Sequence, residues 1–175
     1  MTIRNHAGFT LIELLIVVAI IGIIAAIAVP GLLRARMAGN EASAIGSLRS
    51  IASAEHTYSS SCGGGGYATT LGDLAQPPAA GGPAFIPADL AAAEPGGTPK
   101  SGYEYTITGA GDFVLSSTAT CNSAGADTMT GFFVQADPID PGVTGTRYFA
   151  TDQSGQMRQD YTAQLTDLTS GTPLQ

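Results

Sequence analysis

The stretch FTLIELLIVVAIIGIIAAIAV, Phe9 to Val29, decides the N-terminal part of the fold, because only Thr10 and Glu13 in it are polar. As a helix that rises 1.5 Å per residue, it would be about 30 Å long, the thickness of the hydrocarbon core of a bilayer. The stretch therefore predicts a membrane-spanning helix. Its unusual feature is the carboxylate of Glu13 close to one end.

A short polar leader, MTIRNHAG, precedes this helix and carries Arg4. An ordinary secretory signal has a small-residue cleavage site after its apolar run. Here the small residue Gly8 lies before the run, and the run ends in AVPGLLRAR. This arrangement predicts that residues 1–8 are removed and that the apolar helix is retained.

These features together resemble the N-terminal segment of type IV pilins and the related pseudopilins: Gly8, Phe9, a glutamate four positions after Phe9, and a run of spanning length. The resemblance is close over residues 8–35 and only architectural beyond them. It implies that a prepilin peptidase cleaves between Gly8 and Phe9 and methylates the new amine of Phe9. It also implies that Glu13 pairs with the Phe9 amine of a neighbouring subunit during assembly.

Glu13 has a second interpretation, because a carboxylate near the end of a membrane helix can snorkel to the surface or become protonated without any role. Acidic residues within membrane helices are, however, functional as a rule. We therefore expect Glu13→Ala to leave cleavage and membrane insertion intact and to abolish assembly.

Gly22 and Pro30 also leave two interpretations open. Membrane helices tolerate glycine and proline better than soluble ones do, so both residues can be without consequence. The resemblance implies instead that the backbone between them loses helical hydrogen bonds in the assembled filament. Pro30 is in either case expected to kink the helix.

The helical pattern continues beyond the apolar run, which predicts a helix over residues 9–59 with residues 9–29 in the membrane or filament core. An apolar stripe at helical spacing predicts the side that packs on the rest of the chain. The stripe consists of Ile45, Leu48, Ile51 and Tyr58. Charged side chains in the same helix are expected to face solvent or neighbouring subunits: Arg34, Arg36, Glu41, Arg49 and Glu55.

Residues 60–102 form a Gly- and Pro-rich connection with short helical turns near residues 71–75 and 88–92. Residues 103–175 alternate polar and apolar side chains and predict strands, ending in a polar tail from Tyr161. YEYTIT and FVLSST, on either side of GAGD, predict a hairpin; GFFVQAD predicts a further strand, and TRYFATDQSGQMRQD predicts strands joined by a tight turn. The expected fold class is α+β, in which a four-stranded antiparallel sheet covers the upper half of the helix, as in pilins.

The two cysteines, Cys62 and Cys121, are too few for a thiolate metal site. If this part of the chain is exported, a disulfide between them is favoured. Such a bridge would contribute on the order of 4 kcal/mol by chain entropy. The alternative is two unpaired, buried thiols.

Residues suited to catalysis are sparse, since His6 falls in the leader and His56 stands alone. The sequence therefore predicts neither an enzyme nor a cofactor. Asp137 and Asp140 are weak calcium candidates, because two carboxylates fall short of the six to eight oxygens that calcium takes and adjacent prolines also explain a turn. The net charge of −7 disfavours nucleic acid as a partner.

The resemblance implies a major pilin that polymerises with itself and has prepilin peptidase and the inner-membrane assembly machinery as partners. Its location would be the bacterial inner membrane first and a cell-surface pilus afterwards. The principal alternative is a pseudopilin of a type II secretion system, which forms a periplasmic pseudopilus. A membrane-anchored enzyme and a simple single-pass anchor with an uncut N-terminus are the other possibilities.

Overall fold

The computed structural model describes residues 9–167 and 169–174 and divides into two compact units, one up to Arg36 and one from Met37 onward. Helix α1, Leu11–Ser61, begins in the first unit and ends in the second, slightly beyond the predicted end at Ser59. By length and composition, this helix is long and apolar enough to cross a membrane.

The second unit contains an antiparallel sheet whose strands follow one another in chain order. Its elements are α2 (Leu71–Ala75), α3 (Ala88–Ala91), β1 (Tyr103–Leu115), β2 (Thr128–Pro138), β3 (Tyr148–Asp152), β4 (Met157–Asp160) and β5 (Thr172–Pro173). The α+β class is confirmed. The number of strands is five rather than four, because a short strand from the tail pairs with β4.

The predicted hairpin turn at Gly109–Asp112 is wrong, because these residues lie inside β1. The pairing of β1 with β2 shifts register within this segment, which marks a β-bulge. Gly111 adopts a φ of 80°, and the backbone N–H of Asp112 donates to Thr130 Oγ1 at 2.9 Å. Since a bulge and a turn both favour glycine, the local sequence did not distinguish them.

The core of the second unit lies between α1 and the sheet. Leu48, Ile51 and Tyr58 of the predicted stripe are fully buried, and Ile45 packs against them while partly exposed. The sheet contributes mainly aromatic side chains: Tyr103, Tyr105, Phe132 and Phe149. The helical face chosen from sequence periodicity is therefore confirmed.

The connection between α1 and β1 forms the two predicted helical turns, α2 and α3. Thr70 caps α2, since its Oγ1 accepts a hydrogen bond from the Asp73 N–H at 3.1 Å. Side chains of this connection also reach the core: Leu71, Leu74, Ile86 and Leu90. Although this connection is rich in glycine and proline, it therefore packs against the core of the second unit.

The tail after β4 packs against the sheet, although its sequence is polar and irregular. Leu165 is buried, and its carbonyl accepts a hydrogen bond from Gln135 Nε2. Gln164 Nε2 donates to Asp137 Oδ2 at 2.9 Å. These two contacts hold the tail on β2.

Candidate functional site

The first candidate feature is the start of α1, where Thr10 and Glu13 form a reciprocal pair. The Thr10 N–H donates to Glu13 Oε2 at 2.9 Å, and the Thr10 hydroxyl donates to the same oxygen at 2.7 Å. The Glu13 N–H in turn donates to Thr10 Oγ1 at 3.3 Å. This arrangement is a capping box, which satisfies N–H groups that the first helical turn leaves free. The sequence interpretation missed Thr10, although a threonine three positions before a glutamate is the signal for this motif.

The surface of the first unit is apolar from Phe9 to Leu33, apart from Thr10 and Glu13. Phe9 is 78% exposed, and large aliphatic side chains from Leu11 to Leu33 are exposed all along α1. A surface of this size and composition normally binds lipid or another protein. The helix therefore presents a continuous surface for a membrane or for other helices.

Gly22 and Pro30 both lie within the unbroken helix α1. No atom lies within 4 Å of the position that a Cβ at Gly22 would take. Packing within the chain therefore gives no reason for this glycine. The loss of helical hydrogen bonds between Gly22 and Pro30 on assembly stays a prediction.

Glu41 is buried, which corrects the expectation that it faces solvent or a neighbouring subunit. Its Oε1 accepts hydrogen bonds from the N–H and the hydroxyl of Thr146, both at 2.8 Å. Its Oε2 binds the guanidinium of Arg147 through Nε at 2.9 Å and through a terminal nitrogen at 2.8 Å. These hydrogen bonds, with the charge of Arg147, hold the pKa of Glu41 below its usual value although burial opposes them. Glu41 therefore fastens the β2–β3 connection to α1.

Glu55 is also buried and corrects the same expectation. Its Oε2 accepts a hydrogen bond from the Ala68 N–H at 2.9 Å, while its Oε1 has no partner among the described residues. Burial raises the pKa of Glu55 to about 8, and the nearby charge of Asp73 acts in the same direction. At neutral pH the folded chain therefore holds Glu55 mainly in its protonated form.

Cys62 and Cys121 form a disulfide, the pairing that the sequence favours. Cys62 directly follows the last residue of α1, and the backbone N–H of Cys121 donates to the Cys62 carbonyl at 3.2 Å. The bridge therefore ties the end of α1 to the connection between β1 and β2.

The two weak calcium candidates lie in different surroundings. Asp137 lies opposite Glu104 in the sheet and accepts a hydrogen bond from Gln164, and its pKa is raised to about 6 by burial and by the charge of Glu104. Asp140 is exposed in the β2–β3 connection. Over residues 9–167 and 169–174, no three histidine, cysteine or acidic side chains are grouped so that they could hold a metal ion.

Phe9 and Glu13, the two residues expected to act in assembly, both lie on the exposed first unit. Gly8, on the other side of the expected cleavage point, lies outside the described residues. The contact between Glu13 and a second copy stays a prediction.

Comparisons with known proteins place the similarity at the N-terminus. Residues 3–29 match the prokaryotic N-terminal methylation motif. A segment of 38 residues is 63% identical to the type IV wide pilus major component PilA4 of Thermus thermophilus and covers 22% of this chain and 29% of that protein. A segment of 55 residues is 46% identical to the type IV major pilin protein PilA of Myxococcus xanthus and covers 31% of this chain and 24% of that protein. The matched segments thus span less than a third of either relative, and no solved structure matches the chain significantly.

Proposed function

From the premise that this chain carries the N-terminal segment of the type IV pilin family, we propose that it is the major structural subunit of a bacterial type IV pilus. The observation that carries the proposal is an exposed, spanning-length apolar helix behind a methylation motif, with one acid, Glu13, near its start. The proposed role is structural rather than enzymatic, since both relatives are named as pilus components.

The membrane stores the subunit before assembly. The apolar part of α1 resides in the inner membrane until prepilin peptidase removes the leader after Gly8 and methylates the amine of Phe9. The assembly machinery then moves the helix from lipid into a bundle with other copies, where the exposed aliphatic surface is buried between subunits.

Glu13 aligns the incoming subunit with its neighbour. Its carboxylate, which the Thr10 N–H and hydroxyl hold in the single chain, pairs in the filament with the positive amine of Phe9 on another copy. A charged pair of this kind is favourable only where both groups meet, since either charge alone inside an apolar bundle is costly. Register between subunits follows from this requirement.

The main test compares wild type with Glu13→Ala in the full chain, by electron microscopy of filaments sheared from cells. Both proteins should be cleaved and inserted, with mass spectrometry showing an N-methylated Phe9, but only wild type should form filaments. Asp112→Ala, which removes an exposed acid from the second unit, is the matched control and should assemble normally.

Three other outcomes would contradict the proposal. Normal filaments from Glu13→Ala would remove the role of the carboxylate. An uncut N-terminus would indicate a simple membrane anchor. Short periplasmic filaments without surface fibres would favour a pseudopilin of a type II secretion system.

A second test concerns Gly22 and Pro30. If the backbone between them opens on assembly, amide hydrogens in this segment should exchange faster in filaments than in detergent-held subunits. Full protection of the segment in filaments would contradict this step and leave the main proposal intact.

A further inference from the structure

The connection between β2 and β3, residues 139–147, is tied to α1 by hydrogen bonds and is called the anchored loop below. Asn40 Nδ2 donates to the Thr144 carbonyl at 2.8 Å, and Glu41 accepts from Thr146 as described above. Within the loop, the Val143 N–H donates to the Asp140 carbonyl at 3.0 Å. The backbone of the anchored loop is thus fixed to α1 and to itself.

The anchored loop nevertheless presents apolar side chains to solvent. Ile139 is 47% exposed and Val143 is 59% exposed, and Asp140 between them is exposed as well. No described residue donates a hydrogen bond to the Asp140 carboxylate; the bonds that Asp140 makes come from its backbone. A surface whose backbone is already held by hydrogen bonds loses less conformational freedom on binding than a free loop does, which favours docking to a partner.

A complementary surface lies on α1 in the first unit. Four residues at helical spacing occupy one face of α1 there: Val29, Leu32, Leu33 and Arg36. Leu32 is 60% exposed, Leu33 is 50% exposed, and Arg36 is exposed. We call these four residues the Leu-Arg stripe. Arg34 lies away from it by helical geometry.

The charged side chains also favour contact between the anchored loop and the Leu-Arg stripe. Among the described basic residues, Lys100 pairs with Asp89 at 2.8 Å, and Arg147 pairs with Glu41. The other described arginines form no ion pair within the described part of the chain, and Arg36 is the one among them that shares a helical face with Leu32 and Leu33. Asp140 is an exposed acid with an exposed aliphatic side chain near it on either side, which is the pattern that a leucine pair beside an arginine would fit.

We propose that the anchored loop of one copy docks on the Leu-Arg stripe of a second copy. Ile139 and Val143 then cover Leu32 and Leu33, and the Asp140 carboxylate pairs with the Arg36 guanidinium. This contact rests on the proposed function, because it forms between subunits of a filament. It adds a second point of register beyond Glu13, formed by the folded part of the subunit.

Disulfide cross-linking in filaments tests the contact directly. The native cysteines are bonded to each other, so cysteines introduced as Leu33→Cys and Val143→Cys in one full-length chain are the only free thiols. Oxidised filaments should then yield covalent multimers on a non-reducing denaturing gel. The control chain with Arg34→Cys and Val143→Cys, whose first cysteine lies off the stripe, should yield several-fold fewer.

Charge reversal tests the pairing of Asp140 with Arg36. Asp140→Arg should lower the yield of sheared filaments roughly fivefold, the upper end expected for one surface pair. Adding Arg36→Asp should restore the yield, whereas adding Arg34→Asp should not. Asp112→Arg, beside the exposed Phe113, controls for a general effect of charge and should leave the yield unchanged.

Each outcome decides between the two proposals. If oxidised filaments of the Leu33→Cys/Val143→Cys chain yield no covalent multimers, or no more than filaments of the control chain, the contact is overturned and the proposed function stands. Rescue by Arg34→Asp as complete as that by Arg36→Asp would overturn the pairing. If wild type forms no filaments at all, the proposed function and this contact are both overturned.

Discussion

The two units of this protein treat apolar and charged side chains in opposite ways. The described part of the first unit, residues 9–36, exposes its large apolar side chains, and its one acid, Glu13, is held by its neighbour Thr10. The second unit buries its aromatic side chains in one core and draws the carboxylates of Glu41 and Glu55 inside. The second unit is therefore stabilised by its own contacts, whereas the hydrophobic free energy of the first is released only when lipid or other copies cover it.

This difference can be measured separately in the two units, because all six tyrosines lie in the second and the chain has no tryptophan. Near-ultraviolet circular dichroism of the full chain in detergent therefore reports chiefly on the second unit. Far-ultraviolet dichroism also includes the helix of the first. A variant that affects one unit alone should change the two signals differently.

Removal of the disulfide is expected to have the largest effect on stability. Replacing Cys62 and Cys121 by serine should lower the free energy of unfolding of the second unit by about 4 kcal/mol, because the unfolded chain loses a long covalent loop. The measurement is denaturant unfolding followed by the tyrosine signal.

The first unit supplies the control for this variant. Its helical signal in detergent should persist after the tyrosine signal is lost, since it makes no use of the bridge. Simultaneous loss of both signals would show that the two units unfold together and would contradict their separate stabilisation.

Glu55 should make the stability of the second unit depend on pH. Its pKa is about 8 in the folded chain against a reference value of 4.5. Between these values the folded state holds a proton that the unfolded state has released, so the free energy of unfolding should fall as pH rises from 4.5 to 8. From pH 6 to 8 the fall should be on the order of 2–3 kcal/mol, and Glu55→Gln should remove it.

Asp137→Asn is the matched control for this pH dependence. The pKa of Asp137 is raised from 3.8 to about 6, so its contribution also falls with rising pH, but in a lower range. This variant should flatten the dependence of the free energy of unfolding on pH between about pH 4 and 6 and leave the slope between pH 7 and 8 unchanged. An unaltered slope in Glu55→Gln above pH 6 would contradict the assignment to Glu55.

Thr10→Ala should have the smallest effect and separates the two roles of Glu13. Loss of the capping box should destabilise the first turn of α1 by about 1 kcal/mol, visible as faster amide exchange near the start of the helix. Because the carboxylate remains available to another copy, filaments should still form. Absence of filaments from Thr10→Ala, as from Glu13→Ala, would show that the cap itself is needed for assembly.

The sequence predicted best what depends on neighbouring residues. Local periodicity and composition were enough to predict three features. They are the apolar helix from Phe9 to Val29, the buried stripe of Leu48, Ile51 and Tyr58, and the helical turns near residues 71–75 and 88–92. The α+β class followed from the family resemblance and from alternation in the C-terminal part.

Long-range contacts explain what the sequence did not predict. Glu41 is buried because Thr146 and Arg147, more than a hundred positions away, bring their donors to it. The bulge at Gly111 depends on Thr130 of the next strand. Leu165 in a polar tail gives no periodic signal, yet the sheet buries it. None of these partners is adjacent in sequence, so periodicity contains no information about them.

The position of the disulfide has a mechanical consequence. If the chain is pulled from its two ends, the bridge transmits the force from the end of α1 directly to Cys121, and the 59-residue separation between the cysteines cannot extend. A fully extended segment of that length would add about 200 Å. Force spectroscopy should therefore show an unfolded contour shorter by roughly this length than that of the reduced chain. α2, α3 and β1 lie within the shielded loop, whereas α1 and the strands that follow Cys121 can be drawn out under tension.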